Sequence, residues 1–275
     1  MPIDTHHRAR SSSLLSRRPD ISGYYASGSH EEALSRLSYL VEHRRPCGLL
    51  TGPAGTGKSV LWEVFSRDLR RQGLRQVGVV DLRGLEAHDL PAQIQTDWKL
   101  GPEANDSPAG QWDEIQDLVR GLALCRTPAV FIFDHLDRAH PSCKPGVERL
   151  LRLGAQSQGF LTMLFAARSA GDSSATVMAA ELSDLRIELQ AFDALETSRY
   201  VVQRLSASGF DGATLDPAAM MAVYRQTHGV PREINRVCDL LVLTGLAGSG
   251  TVVSAAAVED VSAELPQIED AAVAD

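Results

Sequence analysis

The sequence predicts an α/β fold in which a parallel sheet flanked by helices is followed by a smaller C-terminal helical domain. Three observations carry this reading. Short apolar runs alternate with stretches of helical periodicity between residues 47 and 166, a glycine-rich turn joins the first run to the helix after it, and beyond Asp193 the strand-like runs stop while helical spacing continues. Strands that alternate with helices favour parallel pairing, because the crossover to a parallel neighbour needs a dozen or more residues and a helix supplies them.

Taken in order, Ser29-His30-Glu31-Glu32 has the S-x-x-E form of a capping box, and Ala33, Leu34, Leu37, Leu40 and Val41 follow at helical spacing. Cys47–Thr51 reads as a buried strand, Gly52–Gly57 as a turn, and Val60, Leu61, Val64, Phe65 and Leu69 as the buried face of the next helix. A second strand is expected at Gln76–Leu82. The segment after it, interrupted by Pro91, Pro102 and Pro108, is expected to be partly irregular, with Trp98 and Trp112 as packing anchors. Glu114–Cys125 predicts a helix, Ala129–Phe133 a third strand, Gly146–Leu153 a helix and Leu161–Ala166 a fourth strand. Leu195–Ser206, Pro217–Tyr224 and Pro231–Leu243 predict the helices of the second domain. The resulting division is a disordered tail over 1–20, an α/β domain over 21–190, a helical domain over 191–265 and an acidic tail over 266–275.

Composition narrows the class. The chain has 275 residues, 44% of them hydrophobic, enough for a proper core. A formal net charge of -8 argues against non-specific polyanion binding by the whole surface, so nucleic acid is not indicated by charge and a protein partner is expected; a local basic patch stays compatible with nucleic acid. Arg67, Arg70, Arg71 and Arg75 form one basic cluster, but Asp68 sits among them and the cluster reads as a solvated helix face. Cys47, Cys125, Cys143 and Cys238 are scattered without zinc-ligand spacing, and His6, His7, His43, His88 and His140 show none either, which points to buried thiols in the cytoplasm. The uncharged run Leu240–Val258 is long enough to span a bilayer, but Gly245, Gly248 and Gly250 and its hydroxyl residues make it a helix end, a turn and a new segment.

Two motifs carry chemistry. Gly52-Pro53-Ala54-Gly55-Thr56-Gly57-Lys58-Ser59 fits G-x-x-x-x-G-K-[ST], the Walker A phosphate loop of P-loop NTPases, between a strand and a helix and running on into Val60. Glycines let the backbone turn its N–H groups inward at the positive end of a helix dipole, Lys58 adds a point charge for the β- and γ-phosphates, and the Ser59 hydroxyl suits Mg2+. ATP with Mg2+ is therefore the expected ligand. The apolar run Ala129–Phe133 ends in Asp134, an acid at the carboxyl end of a buried parallel strand, where ligands bind in such sheets. Asp134 is expected to hold Mg2+ through water.

On these motifs the chain resembles the AAA+ ATPases of the secretion ATPase A (ExeA-like) type, whose domain is shared with origin-recognition and transposition-helper ATPases. The likeness covers roughly residues 21–262. It also rests on Tyr25 with His30-Glu31-Glu32-Ala33-Leu34, Leu195-Glu196-Thr197 with Tyr200 and Arg204-Leu205, and Gly229-Val230-Pro231-Arg232-Glu233-Ile234-Asn235. It implies that the C-terminal helices form a lid, that Arg232 and Tyr25 lie at the nucleotide, and that Arg186 acts on a neighbouring subunit of a homo-oligomer. Where the family offers Gly-Gln after the fourth strand, this chain reads Ala167-Arg168-Ser169, so Arg168 or Ser169 would take that role.

The chain departs from the family at Asp134-His135-Leu136-Asp137, where the second residue is usually the glutamate that activates water. General-base groups contribute roughly two to four orders of magnitude in rate, so the departure predicts slow hydrolysis unless His135 or Asp137 substitutes. Two functional classes stay open at this point: an ATPase that couples hydrolysis to lid movement and partner engagement, or an ATP-gated adaptor with little turnover. A nucleic-acid-associated transposition helper or loader fits either class.

Overall fold

The computed structural model describes residues 21, 23–98, 107–210, 215–246 and 252–263; the expected tails over 1–20 and 266–275 lie outside them. Two compact units are present. The first comprises His30–Ala54 and Lys58–Leu189, and the second joins Gly23–Ser29 and Gly55–Gly57 to the chain from Gln190 onward.

The first unit is built on five parallel strands: β1 (Cys47–Thr51), β2 (Gln76–Asp81), β3 (Ala129–Asp134), β4 (Leu161–Ala166) and β5 (Leu185–Glu188), in the order β2-β3-β4-β1-β5. β3 and β4 are central, and every residue of both is buried, which is why they read as unbroken apolar runs. On one face α1 (Gly28–Glu42) and α2 (Lys58–Arg71) bury Leu37, Leu40, Leu61, Trp62 and Phe65 against Leu50, Ile132 and Leu164. On the other, α3 (Asp89–Trp98), α4 (Pro108–Leu124), α5 (Lys144–Gln156) and α6 (Ser174–Leu182) enclose Phe131, Phe133, Met163 and Phe165. Trp98 and Trp112 are buried in this second core. The Trp98 ring lies flat on Phe131 with an interplanar angle of 12°, and Gly78 makes room for it, since a Cβ there would stand 2.5 Å from the indole.

Three elements differ from expectation. The proline-interrupted segment contains the regular helix α3: Pro91 is its third residue, where the backbone N–H has no intrahelical acceptor to lose. β5 is an extra strand. Ser29 sits inside α1, and its hydroxyl accepts from the Gln190 N–H instead of closing a capping box.

The second unit packs α7 (Ala194–Ala207), α8 (Pro217–Thr227), α9 (Pro231–Leu243) and α10 (Ala255–Ala263) around Val201, Leu205, Val223, Ile234 and Leu241. Its first helix begins with a reciprocal capping box between Asp193 and Glu196, whose carboxylate also accepts the Gly28 N–H at 2.9 Å. Among the described residues no helix is long and apolar enough to cross a membrane.

Candidate nucleotide site

The phosphate loop leaves β1 and enters α2 at Lys58, so Lys58 and Ser59 open the helix with its positive dipole end toward the loop. The glycines are required by conformation. Gly52, Gly55 and Gly57 have φ of 153°, 88° and 101°, and a Cβ on Gly52 would stand 2.3 Å from the Leu189 carbonyl oxygen. The Lys58 ammonium donates to the carbonyls of Gly52 and Pro53, which folds the side chain back over the loop it serves. Pro53 and Ala54 are exposed, Thr56 is buried, and Val60 is half-buried in the first turn of α2.

β4 separates β1 from β3, so the ends of the two motif-bearing strands flank a crevice at the carboxyl edge of the sheet. Across it the Ser59 hydroxyl donates to Asp134 Oδ2 at 2.5 Å. Asp134 is buried, and desolvation raises its pKa despite the neighbouring His135, the Ser59 hydroxyl and the His135 N–H. A desolvated carboxylate beside the hydroxyl that opens α2 is the donor set a hard divalent cation with phosphate oxygens requires. The residues therefore fit Mg2+ and a nucleoside triphosphate.

His135 follows Asp134 in the left-handed region, with φ 59° and ψ 42°. That turn brings its Nδ1 back to Asp81 Oδ1 at 3.1 Å and to Asp134 Oδ2 at 3.4 Å. Asp81 ends β2 and lies opposite Asp134 in the strand register. Burial would raise its pKa, but hydrogen bonds from His135 and Arg83 outweigh that and hold it well below the usual carboxylate range; the Arg83 Nε donates to it at 2.8 Å. With Asp81 ionised, the bond requires the proton on Nδ1, and Nε2 is the ring nitrogen that this bond does not use. Asp81 was not among the residues expected from sequence. Its signal was the ending of Val77-Gly78-Val79-Val80-Asp81, which parallels that of Ala129–Asp134.

The remaining expected residues are each held by contacts of their own, and the Arg168 carbonyl accepts from the Gly52 N–H at 3.1 Å. The Asp137 side chain is 2% exposed and accepts from Arg168 Nε at 2.9 Å and the Arg168 N–H at 3.3 Å, which pairs it with Arg168. Ser169 closes a local turn, its N–H on Asp172 and its hydroxyl accepting from Gly171. Arg186 lies on the exposed side of β5 and donates to the Ala180 carbonyl at 2.9 Å. In the second unit, Arg232 opens α9, donates its N–H to the Gly55 carbonyl at 3.3 Å and sets its own Cβ 2.9 Å from where a Gly55 Cβ would be. Tyr25 packs edge-on against Phe192, with ring centroids 5.4 Å apart, and leans on Tyr200. Burial pushes the thiols of Cys47 and Cys238 up to about 12 and that of Cys143 to about 11, so none of the three is a nucleophile at neutral pH.

Residues 41–172 match the family model described as AAA domain. General secretion pathway protein A of Aeromonas hydrophila is 26% identical over 239 residues, 83% of this chain; the chain spans 42% of that protein's length. Among solved structures, the ORC2 protein of Aeropyrum pernix, in ADPNP–ADP complexes, superposes with a TM-score of 0.63 at 14% identity over 90% of this chain and 70% of its own. Cdc6p of Pyrobaculum aerophilum gives 0.62 at 14% over 85% and 68%, and domain III of the Thermotoga maritima replication initiation protein DnaA gives 0.57 at 10% over 88% and 94%.

Proposed function

We propose that this chain, which belongs to the AAA+ P-loop ATPases through the AAA domain at residues 41–172, binds ATP with Mg2+ and hydrolyses it, with His135 as the base that activates water. The observation that carries the reading is the Ser59–Asp134 contact beneath a complete Walker A loop. Loop N–H groups and Lys58 hold the phosphates, and Ser59 and Asp134 hold the cation. Bound Mg2+ would neutralise phosphate charge and act as a Lewis acid there. His135 Nε2 accepts a proton from water, while Asp81 keeps the opposite proton on Nδ1 and so holds the ring as a base. Arg232 and Gly55 belong together to the second unit, the helical lid, whose movement follows nucleotide state and governs partner engagement. Arg186, on an exposed edge strand, is offered to a neighbouring subunit in a cytoplasmic homo-oligomer. The ORC2 neighbour's nucleotide complexes support the ligand class.

The test is fluorescent-ATP binding and phosphate release by the purified chain beside Lys58→Ala and His135→Glu. Release by the wild type, with loss of both binding and release in Lys58→Ala, is expected. Binding without release, restored by His135→Glu, would instead make the chain an ATP-gated adaptor. No binding at all overturns the reading.

A further inference from the structure

A parallel sheet has two unlike edges, and the edge opposite the phosphate loop carries a charge pattern that nucleotide binding does not use. Arg44 and Arg45 precede β1, Arg75 immediately precedes β2 at the end of the α2–β2 connection, Arg126 precedes β3, and Arg70 and Arg71 close α2. All six are exposed, in a chain whose net charge is -8. The sequence shows only the α2 cluster; the strand order β2-β3-β4-β1 sets the arginines of three separate connections along one edge. Arg44 bridges the remaining strand, its guanidinium 4.6 Å from the centre of the Phe160 ring at the entrance to β4. Arg45, Arg75 and Arg126 make no ion pair among the described residues. The acids at this edge are Glu42, Asp68, which pairs with Arg71 at 3.5 Å, Glu181 in the last turn of α6, and Asp184, which accepts the Cys47 N–H at the far end beside β5.

Helix C-termini converge on this edge, and cations offset their dipoles, so arginine there has a purely structural use. Two observations exceed it. Arg44 and Arg126 occupy left-handed turns, with φ of 52° and 53°, where glycine or asparagine is favoured on conformational grounds. Next to Arg44 and Arg45, the last turn of α1 presents Tyr39, 45% exposed and stacked on the His43 ring at 4.1 Å between centroids. Arginines in a row beside an exposed aromatic pair combine backbone neutralisation with base stacking.

We propose that this edge binds single-stranded nucleic acid, with Arg44, Arg45, Arg75 and Arg126 on successive phosphates and a base stacked on Tyr39. The interaction is independent of ATP hydrolysis.

The test is fluorescence anisotropy of a labelled oligothymidine of about 20 nucleotides with the full chain. Each phosphate contact on a single strand contributes about -0.7 to the log–log salt slope, so four contacts weaken binding roughly fifty-fold between about 50 and 200 mM salt. The triple reversal Arg45→Glu, Arg75→Glu and Arg126→Glu should reduce that slope by about 2, and Tyr39→Ala should weaken binding about ten-fold. Reversal of Arg36, Arg120 and Arg152, exposed arginines that already pair with carboxylates, changes net charge equally and should keep most of the affinity. Fluorescent-ATP binding by each variant verifies folding separately. Equal losses in both triple variants, or unchanged binding after the first, overturn the proposal. So does a wild type that ignores the oligonucleotide but holds phosphatidylserine vesicles or polyglutamate, and so does a fall in Tm with no wild-type binding, which would leave the arginines as helix-end countercharges only.

Discussion

At the residue scale the proposed hydrolysis turns on how His135 would activate water. His135 is reached through a left-handed backbone position and faces two carboxylates, and only one ring tautomer satisfies the Asp81 bond. Asp81→Asn should therefore lower kcat roughly ten- to hundred-fold, the scale typical when the partner that orients a working histidine is lost, while leaving ATP affinity unchanged. In a His135→Glu background the same substitution should have little effect on kcat, because a carboxylate needs no tautomer fixed. Steady-state kinetics of the four proteins measure the coupling. Equal losses in both backgrounds would mean that Asp81 serves only the fold, through its pairing with Arg83.

Elements differ in how well the sequence announces them, and the difference is physical. Strands β3 and β4 are buried on both faces, so nothing polar interrupts them. β5 is four residues on the sheet edge with a single buried side chain, Ile187, and a pattern that short does not separate strand from loop. α3 was hidden by a proline that its third position tolerates. The phosphate loop was legible in full because its donors lie within eight consecutive residues, whereas the Asp81–His135 pair spans 54 positions and exists only in the strand register. The turn before α9 was recognised as a motif, and the structure supplies its reason. Gly229 has φ 71°, and a Cβ there would stand 1.8 Å from the Phe192 carbonyl oxygen. Gly229→Ala should cost about 2–4 kcal/mol, from overpacking added to backbone strain. Gly209→Ala, at φ 83° with nothing within 4 Å, should cost only about 1–2 kcal/mol. Urea unfolding of the two variants measures both, and equal costs would remove the Phe192 contact as the cause.

Over the whole molecule, the polarity of the parallel sheet separates two chemistries that a net charge of -8 conceals. The carboxyl edge gathers Lys58, Ser59, Asp81, Asp134 and His135, and the opposite edge gathers arginines. Ligands at the two should act independently on stability, since anything bound only by the folded chain stabilises it according to its own affinity and free concentration. At a free concentration of about a hundred times Kd, Mg2+–ATP should add about 2.7 kcal/mol, or roughly 5–10 °C in Tm for a chain of this size. Lys58→Ala should lose the shift, and chelation of Mg2+ should reduce it, while the three-arginine reversal at the other edge should retain it in full. Scanning calorimetry with and without nucleotide makes the comparison. A shift that survives Lys58→Ala would put the nucleotide somewhere other than the phosphate loop, and a shift lost in the arginine variant would mean that the two edges are coupled.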